Sequence, residues 1–325
     1  MKKPQKSSIK LAIVVPHIFL HKDIINDVIF SPGQLALELA NNLKDYYVDV
    51  TLCTPGPVNC NVKNLTADLS LFNKELKLRG DTYISLLKKH PFTFVSLARQ
   101  VQSELIADVY SRANKGEFDI VHIYTNEEDT ALHFAKLCNK PVVFTHHDPY
   151  NFMAKYKSVF PKYKHLNWIS VSYAQRKGMP KDTNWVGNVY HGINPKSYKI
   201  YQNNYKTPYI AYFGRIVPQK GVHLAIKAVQ IYNKQNPKKQ LHLKIAGKHY
   251  ADYKNDTYWQ KQILPHLSDL ITYEGYIKNT KDKNIFLSKA LATIMPSTFE
   301  EPFGMVAIES LASGTPVLAL KSGAL

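Results

Sequence analysis

Short runs of apolar, often β-branched residues alternate along the chain with segments whose apolar residues recur every third or fourth position. The first run, Ile9 to Val15, is continuous, as expected of a strand covered on both faces. A connection from Pro16 to Ser31 follows. Pro32 and Gly33 then open a helical pattern in which Leu35, Leu39 and Leu43 share a face. Val48 to Cys53 reads as a second strand, and residues 83 to 109 as helices interrupted at Pro91. Further strands are expected at Asp119 to Tyr124, Val142 to Thr145, Trp168 to Ser172 and Trp185 to Tyr190. A polar stretch with Asn203, Asn204, Lys206, Thr207 and Pro208 reads as a linker.

After the linker the pattern restarts. Strand Tyr209 to Phe213 leads into helix Val222 to Asn233, and strand Leu241 to Ala246 ends at Gly247. Residues 257 to 267 and 281 to 290 are helix-like, each followed by a strand, Leu270 to Tyr273 and Ala292 to Met295. Loop Pro296 to Pro302 enters helix Gly304 to Ala312, and Pro316 to Leu320 is the last strand. Alternating β and α elements predict parallel sheets with right-handed crossovers. Two such series predict an α/β chain of two doubly wound domains, residues 1–203 and 204–325, facing each other across a cleft. Ligands of such folds bind beyond the carboxyl ends of the strands.

Composition narrows the classes. The 325 residues are 45% hydrophobic, enough for folded cores. No apolar run approaches the roughly 20 residues that cross a bilayer. Lys10 interrupts the apolar stretch behind the basic start, which does not read as a signal peptide. Three cysteines, Cys53, Cys60 and Cys138, are too few and too scattered for a disulfide framework and fit a reduced, cytoplasmic setting. The net charge is +17, and residues 151 to 205 carry nine Lys/Arg against the single acid Asp182. That stretch is either a solvated face or a docking surface for anionic membrane or nucleic acid. No recognition helix, zinc finger or RNA-binding signature accompanies it, so no specific nucleic acid is expected.

Two segments carry the chemistry. In Phe213-Gly-Arg-Ile-Val-Pro-Gln-Lys-Gly221, Arg215 and Lys220 bracket a strand-to-helix turn, with Gly214 and Gly221 permitting close backbone approach. Arginine grips phosphate oxygens as a fork and lysine acts as a point charge. In Glu301-Pro-Phe-Gly-Met-Val-Ala-Ile-Glu309, two carboxylates with seven residues between them flank a helix start, and carboxylates accept hydrogen bonds from sugar hydroxyls. The structural alternatives are exposed basic residues in an ordinary turn, a helix-dipole charge at Glu301 and a solvated Glu309. His146-His147-Asp148 follows a strand and reads as a polarising, structural or metal-binding step, with no further ligand at a suggestive spacing.

Glu-Pro-Phe-Gly with its Ile-Glu, followed by Ala-Ser-Gly-Thr-Pro-Val317, resembles glycosyltransferase family 4, the retaining nucleotide-sugar enzymes of GT-B fold. Phe-Gly-Arg with Lys-Gly resembles that family's diphosphate turn. Asp119-Ile-Val-His122, Val189-Tyr-His-Gly-Ile-Asn194 and Ile245-Ala-Gly247 are weaker matches, and together they span residues 9 to 320. The resemblance implies that Arg215 and Lys220 contact the donor diphosphate. Glu301 then binds the transferred sugar, with the backbone near Phe303, Gly304 and Met305 assisting, and Glu309 holds the ribose. Gly214 and Gly247 line the donor, base contacts lie near Gly275 and Tyr276, and His147 stands beside the reacting sugar. Gly33 corresponds to a donor-facing glycine loop, although Pro32-Gly33 replaces the usual Gly-Gly. His191 and Asn194 depart from the family's Asn and Asp, and His122 reads as a core histidine.

The reaction implied is transfer from a nucleotide-diphosphate sugar to an acceptor hydroxyl with retention. Neither metal nor cofactor is expected, in keeping with the lack of an Asp-x-Asp triplet. The acceptor class stays open among sugars, lipid-linked carriers and small molecules. Family members continue past Gly-Thr-Pro-Val317 with a further segment and a terminal helix, so the second domain is expected to be incomplete. Tyr83 to Leu97, apolar around Lys88 and Lys89, predicts either two packed helices or a peripheral membrane contact. The competing functional reading is a non-catalytic basic module of the same fold that docks on anionic membrane or nucleic acid. A nucleotide-sugar epimerase fits less well, because the matching motifs are those of transferases.

Overall fold

The computed structural model describes residues 8–25, 28–43, 46–125, 130–201, 208–249 and 256–325. The chain forms two compact units, Met1–Val189 and Tyr190–Leu325. This division falls ahead of the expected 203/204 boundary. The residues in between are tied to the second unit: Lys199 N donates to Asn284 Oδ1 (2.9 Å) and Tyr201 N to Ser288 Oγ (2.7 Å). The linker residues Asn203, Asn204, Lys206 and Thr207 lie outside the described residues. The basic run is therefore shared out, with Lys155 to Lys181 on the first unit and Lys196 and Lys199 on the second.

The first unit is built on seven parallel strands in the order β3-β2-β1-β4-β5-β6-β7. They are β1 (Ile9–Val14), β2 (Val48–Thr54), β3 (Lys63–Thr66), β4 (Ile120–Thr125), β5 (Val142–His146), β6 (Asn167–Ser170) and β7 (Trp185–Asn188). Side chains of a strand alternate between faces. Ala12 and Val14 accordingly join one core with helix α4 (Pro91–Asn114), while Ile13 and Val15 join another with helix α1 (Ser31–Leu43). Helix α1 buries Gly33, Ala36 and Ala40, and Leu35, Leu39 and Leu43 flank that seam half-buried. Small residues on the contact face let the helix lie close to the sheet. The expected break at Pro91 separates α3 (Tyr83–Lys89) from α4, which Pro91 starts, where a missing N–H costs nothing. Helices α2 (Ser70–Arg79) and α3 (Tyr83–Lys89) precede it, and α5 (Thr130–Phe134) and α6 (Ala154–Val159) follow. Cys53 is buried against α4, and burial pushes its thiol far up, so it behaves as an apolar core residue.

The second unit repeats the plan on five parallel strands in the order β10-β9-β8-β11-β12. These are β8 (Tyr209–Phe213), β9 (His242–Ala246), β10 (Ile271–Gly275), β11 (Ala292–Met295) and β12 (Val317–Ala319). Ile210 and Tyr212 pack under α7 (Val222–Gln235) and α8 (Thr257–Gln262), while Tyr209 and Ala211 face α9 (Thr280–Ser288). Helix α10 (Met305–Ala312) follows β11. Strand order reverses between β8 and β11, the switch point where doubly wound sheets bind ligands. Among the described residues no helix is long and apolar enough to cross a membrane.

Candidate functional site

The turn after β8 and the loop after β11 are fastened to each other by backbone. Gly221, at φ 71°, has no room for a side chain, since a Cβ there would stand 2.0 Å from the Pro296 carbonyl oxygen. Next to it, Gln219 O accepts hydrogen bonds from Thr298 N (2.9 Å) and Phe299 N (3.2 Å). On the other side the turn abuts the end of β9. Gly214 N donates to Ala246 O and Ile216 N to Lys248 O, each at 3.1 Å, and a Cβ on Gly247 would fall 1.9 Å from the Gly214 carbonyl oxygen. The buried Tyr212 hydroxyl donates to Arg215 O (3.0 Å), and burial holds that phenol well above its usual range.

This fastening brings the two predicted segments into contact. Lys220 Nζ forms an ion pair with Glu301 Oε1 and lies 4.8 Å from the Phe299 ring centroid. Both side chains are largely shielded, at 18% and 9% exposure, so each charge needs the other. The loop after β12 holds Glu301 from behind: Ala324 N donates to Glu301 O (2.9 Å) and Ser322 Oγ to Phe299 O (2.7 Å). Arg215 stands half-buried in the β8 turn, its carbonyl pinned by Tyr212.

Glu309 points inward from α10 and is buried. Lys283 Nζ of α9 meets its Oε1 at 2.5 Å, and Tyr198 OH donates to the same oxygen at 3.3 Å. Neither carboxylate is thus a free surface charge. Lys283, Tyr198 and Phe299 escaped the sequence reading, because an ordinary helix lysine and two loop aromatics carry no local pattern. Gly304 caps α10 at φ 98°, Met305 begins the helix, and half-buried Phe303 packs on Tyr190 and edge-on against His191. Burial lowers the His191 imidazole to about 4, so it is neutral at neutral pH. Gly275 ends β10 and accepts from Gly247 N (2.9 Å), and the Tyr276 ring lies 5.4 Å from Lys248 Nζ.

The remaining predicted residues lie in the first unit. His146 is fully buried among the rings of Tyr150, Tyr156 and Phe160. His147 stacks on Tyr124, centroids 5.1 Å apart and 22° between planes. Gln175 fixes the loop that carries it, its Nε2 donating to His146 O (2.7 Å) and Asp148 O (3.2 Å). His122 shares a hydrogen bond with Thr145 Oγ1 (2.8 Å), and burial lowers its imidazole to about 4, in line with a core histidine. Gly33 is buried in the first turn of α1 against Phe30 and Leu20. Among the described residues no three His, Cys, Asp or Glu side chains converge as metal ligands would.

Residues 194–325 match the family model of glycosyl transferases group 1, which places the similarity on the second unit. Over 285 residues the chain is 26% identical to the putative glycosyltransferase YtcC of Bacillus subtilis, covering 79% of this chain and 65% of that protein. It is 31% identical over 124 residues to a D-inositol 3-phosphate glycosyltransferase of Corynebacterium glutamicum, covering 37% of this chain and 28% of that protein. The chain thus spans less than two thirds of the length of these relatives. Among solved structures, Anabaena HepE in complex with UDP and glucose is similar with a TM-score of 0.62 at 17% identity, over 97% of this chain and 82% of that one. The α,α-trehalose 6-phosphate synthase of Burkholderia multivorans gives 0.63 at 11% identity, over 98% and 83%. These likenesses establish the fold: two Rossmann-like units, the architecture of the GT-B class.

Proposed function

We propose that this chain is a group 1 glycosyltransferase that transfers a sugar from a nucleotide-diphosphate sugar to an acceptor hydroxyl with retention at the anomeric carbon. The observation that carries the reading is the contact of Lys220 with Glu301 at the carboxyl ends of β8 and β11. One is suited to phosphate and the other to sugar hydroxyls, and the fold sets them side by side.

In this reading Arg215 and Lys220 take the diphosphate, Glu301 the sugar hydroxyls and Glu309 the ribose. The bond from the anomeric carbon to the phosphate oxygen breaks and a bond to the acceptor oxygen forms on the same face. The acceptor proton passes to the departing phosphate, so no protein nucleophile is required. Negative charge grows on the leaving group, and the two cations meet it without help from a metal. Preorganised charge of this kind is worth roughly 3 kcal/mol per contact.

The test is a panel of nucleotide sugars screened by thermal shift, followed by transfer and donor-hydrolysis assays. A true donor raises the melting point of the native chain. Arg215→Ala should lower turnover by about a hundredfold. Glu301→Gln should lower turnover similarly while leaving nucleoside diphosphate binding intact. Donor binding and turnover unchanged in both variants would falsify the assignment.

A further inference from the structure

The excursion between β3 and β4 has an inner and an outer face of different character. Inward, Phe72 and Leu76 of α2, Tyr83 and Leu86 of α3, and Phe94, Leu97 and Val101 of α4 form one core cluster with Ile18, Ile24 and Leu69. Outward, the same helices expose large apolar side chains. Phe92 is 91% exposed and Leu78 78%, with Leu71 and Val95 about half exposed. On α2, Leu71, Lys74 and Leu78 fall at i, i+3 and i+7; on α4, Phe92, Val95 and Arg99 fall at i, i+3 and i+7. Residues at those spacings share a helix face. Each helix therefore presents apolar and basic residues together on its solvent side. Lys88, Lys89, His90 and Pro91 lead directly into Phe92.

The charge balance of this face is one-sided. Between residues 70 and 99 the only acids are Glu75 and Asp81, and each is bound to a cation of the same segment: Arg79 Nε to Glu75 at 2.5 Å, and Lys89 Nζ to Asp81 at 2.8 Å. Lys74, Lys77, Lys88 and Arg99 are exposed and have no acidic partner among the described residues. Aromatic and aliphatic side chains standing out from helices that also expose cations match an interface with apolar depth beneath a negative surface. A lipid bilayer with anionic headgroups has that profile, and it accepts projecting side chains without a shaped groove.

We propose that the outer face of α2, the α3–α4 corner and the start of α4 docks on an anionic lipid surface. Phe92 and Leu78 enter the interface, and Lys74, Lys77, Lys88 and Arg99 lie against the headgroups. The proposal is independent of sugar transfer and can be read without any donor.

Sedimentation of the full chain with vesicles tests it, comparing phosphatidylcholine alone with phosphatidylcholine containing phosphatidylglycerol. Binding is expected to the anionic vesicles only and to weaken as salt is added. A Phe92→Ser/Leu78→Ser variant should bind at least about tenfold more weakly, and Lys74→Glu/Lys88→Glu similarly, since each surface cation contributes about fivefold. A Lys155→Glu/Lys157→Glu variant, in the other basic run, should bind as the unaltered chain does. Matching melting curves and circular dichroism show that the variants fold. No binding to anionic vesicles overturns the proposal. So does undiminished binding by both variants of the α2–α4 face, or loss of binding confined to the 155/157 variant. A concentration-dependent dimer abolished by Phe92→Ser, without vesicle binding, would assign the face to a second copy instead.

Discussion

The two units share one strand plan, yet the carboxyl ends of their sheets are furnished differently. In the second unit those ends are drawn together by backbone, glycine against carbonyl at Gly221 and Gly247, and the space above is left to charged side chains. In the first unit the ends of β4 and β5 are filled by rings: His122 and His147 on either side of Tyr124, and His146 enclosed by aromatics. Close backbone packing makes room for an ion pair held at fixed distance, whereas ring packing buries the imidazoles, and burial lowers that of His122.

The largest test of this contrast is at Gly247. Alanine there would drive its Cβ into the Gly214 carbonyl, and the second unit should lose on the order of 3 kcal/mol or more of stability. Gly116→Ala, where nothing stands within 4 Å but φ is 84°, should cost about 1 kcal/mol. Urea unfolding of both variants measures the difference, and equal costs would dissolve the contrast.

Next in size is Gln175 of the first unit. Its side chain binds three backbone groups around the histidine loop, at His146 O, Asp148 O and Val171 N. Gln175→Ala should cost about 2 kcal/mol by stranding buried carbonyls. It should also disturb the near-ultraviolet circular dichroism of the surrounding aromatics. A silent substitution would mean that the rings alone hold the loop.

The most gradual effect is a pH slope. His122 titrates near 4 when folded and near 6.5 when free, so the unfolded chain binds its proton first as pH falls. Its contribution to stability is full above 6.5 and is lost as pH falls from 6.5 to about 4. The slope should be about 1 kcal/mol per pH unit. His191 adds a similar slope in the second unit. His122→Asn should flatten the measured slope by one histidine's share; an unchanged slope would show that its ring is not shielded.

How much of this was written in the chain differs by level. The alternation of elements was plain, because β-branched runs covered on both faces look unlike amphipathic helices. Lys63–Thr66 escaped notice as a strand: it is polar, sits at the sheet edge and is held by backbone pairing with β2. The shared face of Leu35, Leu39 and Leu43 was legible in α1, but the tighter seam of Gly33, Ala36 and Ala40 beside it was not, because hydrophobicity counts greasy surface and not closeness of approach. Arg215, Lys220 and the two glutamates were legible because each lies in a compact local motif. Lys283 and Tyr198 were not, since they reach Glu309 only through tertiary packing. The Ser-Gly-Thr segment after α10 turns out to serve packing: Thr315 Oγ1 donates to Leu287 O and Asn284 Nδ2 to Ser313 Oγ.

The resting partnership of Lys220 and Glu301 has one more corollary. A cation already clamped by a neighbour has surrendered its rotational freedom before any guest arrives, so little order remains to be imposed. A guest that displaces the carboxylate from the ammonium releases, in the same movement, an acceptor for hydroxyl groups. On the proposed reading the two exchanges are thereby coupled, and a nucleotide sugar, which carries both matching groups, should gain from each.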